Sequence, residues 1–177
     1  MFEEGAAGFF TVELYLDQES EATIVSLHET IAGRLGRTPP PVRPHLTLGG
    51  CKVSRGVTDV SAFQAIGAGA AGAPITFGSV GIFPGERSVL YLTPVVTEAL
   101  LALHRRVDEQ IQGLALPMFE LYRPGRWVPH CTLAMDLAPP ELEAALCVAA
   151  QSPLPLTATV STIDVRDYPA AMDRGSA

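Results

Sequence analysis

The feature that most constrains the fold is a short pattern that occurs twice, as Pro-His-Leu-Thr-Leu at 44–48 and as Pro-His-Cys-Thr-Leu at 129–133. Each copy lies in a run of residues typical of a β-strand, where successive side chains alternate between the two faces. The histidine and the threonine of each copy therefore point the same way. Each strand is predicted to present an imidazole beside a hydroxyl. The pairs are His45 with Thr47 and His130 with Thr132.

The elements around the two copies follow the same order, which predicts a duplicated unit of strand, helix, motif strand, helix, strand. Period-2 alternation indicates the strands, and apolar residues three and four apart indicate the helices. Gly36 is expected to end the first helix and Thr97 to cap the third. The first half is predicted at 9–16, 20–35, 45–50, 57–68 and 75–83, and the second at 88–95, 97–112, 130–135, 139–150 and 156–165.

A repeat with one motif in each copy predicts an α+β fold of two pseudo-symmetric lobes. We expect one domain over residues 1–177, with lobes at about 9–83 and 88–166 and with strands that can be exchanged between them. Two antiparallel sheets are expected around a central groove, with the helices outside. In this arrangement the motif strands face each other across the groove.

Composition limits the class of protein. The chain has 177 residues, of which 47% are hydrophobic, so it can bury a substantial core. No apolar run approaches the roughly 20 residues that span a bilayer, and the first residues lack the regions of a signal peptide. We therefore predict a cytoplasmic monomer without membrane association.

The three cysteines predict neither a disulfide framework nor a zinc site, because they are far apart and odd in number. Cys131 lies between the histidine and the threonine of the second motif, so it should face the core. No metal and no cofactor are predicted.

The charges indicate a small anionic ligand. A net charge of −7 disfavours binding of a long duplex nucleic acid, yet the segments 30–58 and 121–135 around the motifs contain no acidic residue. Arg43 precedes the first motif histidine by two residues and Arg126 precedes the second by four. Both are candidates for clamping a phosphate, the alternative being an ordinary exposed arginine. The basic residues of these segments are Arg34, Arg37, Arg43, Lys52, Arg55, Arg123 and Arg126.

With these residues the chain resembles the 2H phosphoesterase superfamily, which includes RNA 2′-5′ ligases and cyclic nucleotide phosphodiesterases. The family is named for two His-x-Thr/Ser motifs, which match residues 45–47 and 130–132, and segment 80–92 resembles the hairpin that joins its lobes. The resemblance extends from about Phe9 to Val165. It implies a bilobal α+β fold with a central groove, metal-independent chemistry, and RNA-derived cyclic phosphates or 2′-5′ linkages as substrates.

Two histidines suit the opening of a 2′,3′-cyclic phosphate, since one can take a proton from water while the other protonates the departing ribose oxygen. Either His45 or His130 can have either role. Thr47 and Thr132 are expected to donate hydrogen bonds to the nonbridging oxygens. We predict a metal-independent phosphoesterase acting on the cyclic phosphate, or a related 2′-5′ phosphodiester, of a nucleotide or an RNA end.

Several alternatives remain at this stage. The chain could be a noncatalytic nucleotide- or RNA-binding module, an RNA 2′-5′ ligase, or a metal-dependent phosphoesterase with the motif histidines as ligands. His28 and His104 lie in predicted helices and are expected to be structural or solvent-exposed, whereas Tyr168, beyond the last predicted strand, is a candidate for closing the groove. The candidates for stacking on a base, with core packing as the alternative, are Trp127, Tyr122 and Phe83.

Overall fold

A computed structural model describes residues 8–53 and 59–169. Strands and helices follow one another in the predicted order. The strands are β1 (Gly8–Leu16), β2 (His45–Val53), β3 (Pro74–Phe83), β4 (Ser88–Pro94), β5 (Cys131–Leu137) and β6 (Leu156–Pro169). The helices are α1 (Gln18–Leu35), α2 (Ser61–Ala70), α3 (Glu98–Gly113) and α4 (Pro139–Ala149), with a short 3-10 helix at Glu120–Tyr122.

The strands form one antiparallel sheet in the order β2-β1-β6-β3-β4-β5. The α+β class is confirmed, and the two expected sheets are the two parts of this single sheet. They are continuous because β6, which is 14 residues long, pairs with β3 through its first residues and with β1 through the rest. The last strand of each half therefore lies beside strands of the other half.

Alternation along the strands separates an apolar face from a polar one. On β1 the even-numbered residues Phe10, Val12, Leu14 and Leu16 are fully buried in the core, where residues of α1 and α3 pack. The odd-numbered residues, at 9, 11, 13 and 15, therefore lie on the other face. The same alternation buries Leu46 and Leu48 on β2 and Cys131 and Leu133 on β5, which confirms that Cys131 faces the core. Both motifs thus point away from the helices.

The motif strands β2 and β5 are the two edges of the sheet, and they also contact each other. An edge strand has unpaired backbone groups that need other partners. The carbonyl of Thr47 accepts a hydrogen bond of 3.0 Å from Trp127 Nε1, and the carbonyl of Thr132 accepts one of 2.9 Å from His28 Nε2. Each motif strand is therefore held by a side chain from the opposite half of the chain.

Most element boundaries follow from local capping. Gly36 has φ 64° at the end of α1, and Thr97 accepts a hydrogen bond from the Leu100 amide at the start of α3, as predicted. Helix α2 begins at Ser61, later than predicted, where the Ser61 amide donates to the carboxylate of Asp59. Residues 57 and 58 of that predicted helix, and the basic residue Arg55, lie outside the described residues.

Strand β6 is longer than predicted and includes Tyr168, which pairs with Phe9 of β1.

None of the helices within 8–53 and 59–169 combines the length and the apolar character needed to cross a membrane.

Candidate functional site

His45 is the first residue of β2, and its ring is held by the backbone just before the strand. Its Nδ1 lies 2.7 Å from the carbonyl oxygen of Arg43. A carbonyl only accepts hydrogen bonds, so Nδ1 carries a proton and donates it. In the neutral ring Nε2 is then the nitrogen with a free lone pair. Nε2 is therefore the atom of His45 that can exchange a proton with a ligand.

His130 repeats this geometry immediately before β5. Its Nδ1 lies 2.8 Å from the carbonyl oxygen of Val128, two residues earlier, so Nε2 is again the exchangeable position. In both motifs a buried proline stands between that carbonyl and the histidine, and its ring restricts the backbone there. The repeated proline and histidine thus produce the same tautomer twice.

Aromatic side chains surround the ring of His130. Phe83 meets it edge-on with centroids 4.8 Å apart, and the ring of Tyr91 lies 5.3 Å away. Burial lowers the pKa of His130, and the charge of His45 lowers it further, against the effect of the Val128 carbonyl. The neutral imidazole is therefore the stable form of His130 at neutral pH.

A buried carboxylate lies beside His45. Oε1 of Glu13, a residue that is only 2% exposed, is 3.8 Å from His45 Nε2. This carboxylate accepts hydrogen bonds from the hydroxyls of Thr11 at 2.7 Å, of Tyr168 at 2.8 Å, and of Tyr15. His45 and His130 thus share a tautomer but differ in charge environment.

The two threonines are half-buried on the same strand faces as the histidines. Thr47 lies across from Glu13 on β1. Thr132 lies across from Tyr91 on β4. Strands β2 and β5 are in contact, and the charge of His45 acts on His130, so the two motif histidines lie near each other.

The predicted phosphate ligands Arg43 and Arg126 both form ion pairs. Arg43 Nε lies 2.7 Å from the carboxylate of Glu21, and its guanidinium lies 4.5 Å above the Tyr15 ring, close to the first motif. Arg126 Nη1 lies 3.5 Å from the carboxylate of Glu120 and is more exposed. Phosphate binding by either arginine stays a prediction.

Trp127 has a structural contact on one face of its indole. That face stacks on the ring of His104 with a centroid distance of 4.0 Å and an interplanar angle of 2°, so it is not available to a base. Tyr122 packs on the core and Phe83 packs on His130, so base stacking stays a prediction for all three aromatic residues.

The other two histidines are buried, and each donates through Nε2 to a backbone carbonyl. Burial lowers the pKa of His28 and of His104, so both are neutral at pH 7. The sequence predicted that they are structural or solvent-exposed, and the structure shows the first of these, because both are buried.

Sequence reasoning missed Glu13 and two of its hydroxyl partners, Thr11 and Tyr15, and named the third, Tyr168, only as a candidate for closing the groove. An acidic residue that alternates with leucine and valine along a strand is typical of a solvent-facing side, although here it is buried. One signal was present, since Glu13 has a hydroxyl-bearing residue on each side at the same strand face, Thr11 and Tyr15. These supply the donors that a buried carboxylate requires.

Among the residues that the structure describes, no three histidine, cysteine, aspartate or glutamate side chains are grouped closely enough to hold a metal ion. A cavity of about 630 Å³ lies on the helix side, where it is lined by residues of α1 and of segment 148–156, and none of the motif residues lines it.

The sequence model of the 2′-5′ RNA ligase superfamily matches residues 40–171, which include both motifs. Among solved structures, that of Kluyveromyces marxianus Usb1 is similar at 12% identity, over 94% of this chain and 99% of that chain, with a TM-score of 0.40. No curated protein matches this chain. Since the family match covers most of its length, the chain belongs to the 2′-5′ RNA ligase superfamily of 2H phosphoesterases, as its paired motifs predicted.

Proposed function

We propose that this protein is a phosphoesterase that opens the 2′,3′-cyclic phosphate of a nucleotide or an RNA end by acid–base catalysis with two histidines. The observation that carries the proposal is the repeated tautomer: His45 and His130 each donate Nδ1–H to a backbone carbonyl. Both rings therefore keep Nε2 for proton transfer. A histidine with a purely structural role does not need a nitrogen that is left free on the strand face that carries the motif histidine and threonine.

The reaction follows from these two nitrogens. One neutral Nε2 accepts a proton from water as its oxygen bonds to phosphorus, and the other histidine gives its proton to the ribose oxygen as the P–O bond of the ring breaks. The product is a phosphate monoester with an adjacent free hydroxyl. General acid–base catalysis by positioned side chains contributes about 10²–10⁴-fold in rate.

The threonine hydroxyls supply neutral donors for the nonbridging oxygens, where negative charge increases in the transition state. Thr47 and Thr132 are on the same strand faces as their histidines, and in this proposal both hydroxyls donate to the phosphate that binds between the two rings. Loss of one preorganised donor of this kind typically costs about 10²–10³ in kcat.

An arginine can add positive charge without a large penalty. The ion pairs of Arg43 and Arg126 are solvent-accessible, and such pairs contribute about 0–1 kcal/mol. A phosphate can therefore replace the glutamate partner at little cost. This proposal requires no metal or cofactor, and a small anionic substrate fits a chain of net charge −7 better than a long duplex does.

Hydrolysis of 2′,3′-cyclic nucleotide monophosphates in the presence of EDTA tests the proposal. We expect turnover by the wild-type protein and losses of at least about 100-fold for His45→Ala, His130→Ala and Thr47→Val. Thr30→Val is the matched control, because Thr30 is an exposed threonine of α1 whose hydroxyl donates only to the Ser26 carbonyl. No turnover by wild type, or activity that EDTA abolishes and a divalent cation restores, would contradict the proposal.

A second candidate is ligation, because the family is described by its 2′-5′ RNA ligases. Ligation uses the same groups in the same order, with a 5′-hydroxyl in place of water as the nucleophile and the ribose oxygen as the leaving group. A mixture of RNA ends bearing a cyclic phosphate and a 5′-hydroxyl distinguishes the two outcomes. A joined product at the expense of hydrolysis would favour ligation, whereas tight binding without any product would favour a noncatalytic module.

A further inference from the structure

We propose that His28, a buried histidine of helix α1, is a positioning residue that holds the hydroxyl of Thr132 in place for the reaction. This role rests on the proposed function, in which that hydroxyl donates to the phosphate. Two observations carry it. The sheet is irregular next to the motif threonines, and His28 makes a hydrogen bond at that point.

Strand β5 contains an extra residue immediately after its motif threonine. Thr132 lies across from Tyr91 on β4. The next pair joins Ala134 to Leu90, so Leu133 is the extra residue. A bulge of this kind interrupts the ladder of hydrogen bonds and turns the side chains near it. The direction of the Thr132 side chain therefore depends on what else holds the strand there.

Strand β2 has the same irregularity in the first half. Gly49 lies across from Val12 of β1. Thr47 lies across from Glu13, so Leu48 is the extra residue. The bulge thus occurs at the leucine of Pro-His-x-Thr-Leu in both copies of the motif. It belongs to the repeated unit, and each threonine stands where its ladder is interrupted.

Each of these threonines has a carbonyl that accepts a hydrogen bond from a side chain of the other half. Trp127 Nε1 donates to the Thr47 carbonyl at 3.0 Å, and His28 Nε2 lies 2.9 Å from the Thr132 carbonyl. A carbonyl only accepts, so Nε2 of His28 carries a proton and donates it. Burial lowers the pKa of His28, so the ring is neutral at pH 7. His28 is thus a neutral donor aimed at the backbone of the second motif.

The two supports differ in how they reach the motif. Helices α1 and α3 each contain a buried histidine, His28 and His104. His104 donates to the carbonyl of Tyr122 and stacks on Trp127, whose indole then contacts the first motif. His28 contacts the second motif directly. The position of Thr132 therefore depends on a single side chain of α1 more closely than that of its counterpart depends on α3.

Helix α1 is a firm base for this contact. Ile24 and Ile31, about one turn to either side of His28, are buried in the core. A displacement of about 1 Å at a group that acts on the transition state can cost about 100-fold in rate. Loss of the Nε2 donor should therefore misplace the Thr132 hydroxyl and lower kcat, although His28 acts on it through the backbone.

The kinetics of 2′,3′-cyclic nucleotide opening by three His28 variants test the proposal. His28→Leu removes the donor, and the side chain of His28→Asn is too short to bring its amide to the carbonyl. We expect each to lose about 10- to 100-fold in kcat with little change in KM. His28→Gln places an amide N–H near the position of Nε2 and should restore most of the rate.

Ile31→Val is the control for these variants, because it removes buried volume from the same face of α1 without removing a hydrogen bond. We expect it to keep the wild-type kcat. A wild-type kcat in His28→Leu, or equal losses in all three His28 variants, would overturn the proposal.

A double-mutant cycle identifies the threonine through which His28 acts. In the Thr132→Val background the hydroxyl is already absent, so His28→Leu should cost little more. In the Thr47→Val background the same change should cost its full factor. An equal further loss in both backgrounds would overturn the assignment to Thr132.

Measurements without substrate separate this proposal from the proposed function. Thermal unfolding of each variant checks that it is folded at the assay temperature. By NMR we expect His28→Leu to shift the backbone amide signals of β5 around Thr132 more than those of β2 around Thr47. Unchanged β5 signals would refute the role of His28 even in an active enzyme. An inactive wild type with the expected shifts would refute the proposed function alone.

Discussion

Replacing Trp127 with phenylalanine distinguishes an indole that supports the motif strand from one that stacks on a base. The variant keeps an aromatic ring to pack on His104 but removes Nε1–H, the donor to the Thr47 carbonyl. That carbonyl lies on the sheet edge in a half-buried region, so it loses its partner. An unsatisfied buried polar group costs about 1–3 kcal/mol. Because water has partial access to this carbonyl, we expect the free energy of unfolding to fall by about 1 kcal/mol.

Urea denaturation measures this loss, and steady-state kinetics measure its consequence at the site. Because Thr47 moves with its carbonyl, kcat should fall while the preference among cyclic nucleotides of different bases stays unchanged. Gln64→Ala, a change on the exposed face of α2, is the control and should alter neither quantity. An unchanged unfolding free energy together with a raised KM that depends on the base would refute the supporting role and assign Trp127 to base stacking.

The remaining predictions concern the wall around His130, the pH dependence of stability and the arginines. In Gly81→Ala, the added Cβ would lie 2.3 Å from a ring carbon of Tyr91, so the ring must move; we expect a loss of thermal stability and of kcat, whereas Gly33→Ala, which meets nothing within 4 Å, should lose neither. The histidines whose pKa is lowered by burial bind protons more readily when unfolded, so the unfolding free energy should fall as pH drops from about 7 to below 6; a flat or rising profile would contradict those directions. Arg43→Ala should raise KM for the cyclic phosphate by several-fold while Arg105→Ala, on the exposed face of α3, should not, and equal KM values would exclude Arg43 as a phosphate ligand.

Local patterns predicted the elements and the faces of the motif strands. Alternation along β1 and the spacing of apolar residues along α3 depend on neighbours in sequence, and so do the caps at Gly36 and Thr97. The repeated motif added a long-range constraint. Two equivalent strands that share a proline, a histidine, a threonine and a leucine are expected to contribute to one site. From this the candidate site could be predicted at the level of residues.

What the sequence did not reveal depends on pairs far apart in the chain. Trp127 and Thr47 are 80 residues apart, and His28 and Thr132 are 104 residues apart, so neither hydrogen bond has a local signature. The long pairing of β6 with both β1 and β3 is likewise a tertiary property. Glu13 was missed for the same reason, because its burial depends on Tyr168 at the other end of the chain.

The most direct test of the central claim is the rate of 2′,3′-cyclic phosphate opening, with EDTA present, for wild type, His45→Ala, His130→Ala and the double variant. Groups that act as one catalytic unit have strongly non-additive effects. We expect each single variant to lose at least about 100-fold in rate and the double variant to lose little more than either. Single variants that keep the wild-type rate, or losses that simply multiply in the double variant, would contradict the central claim.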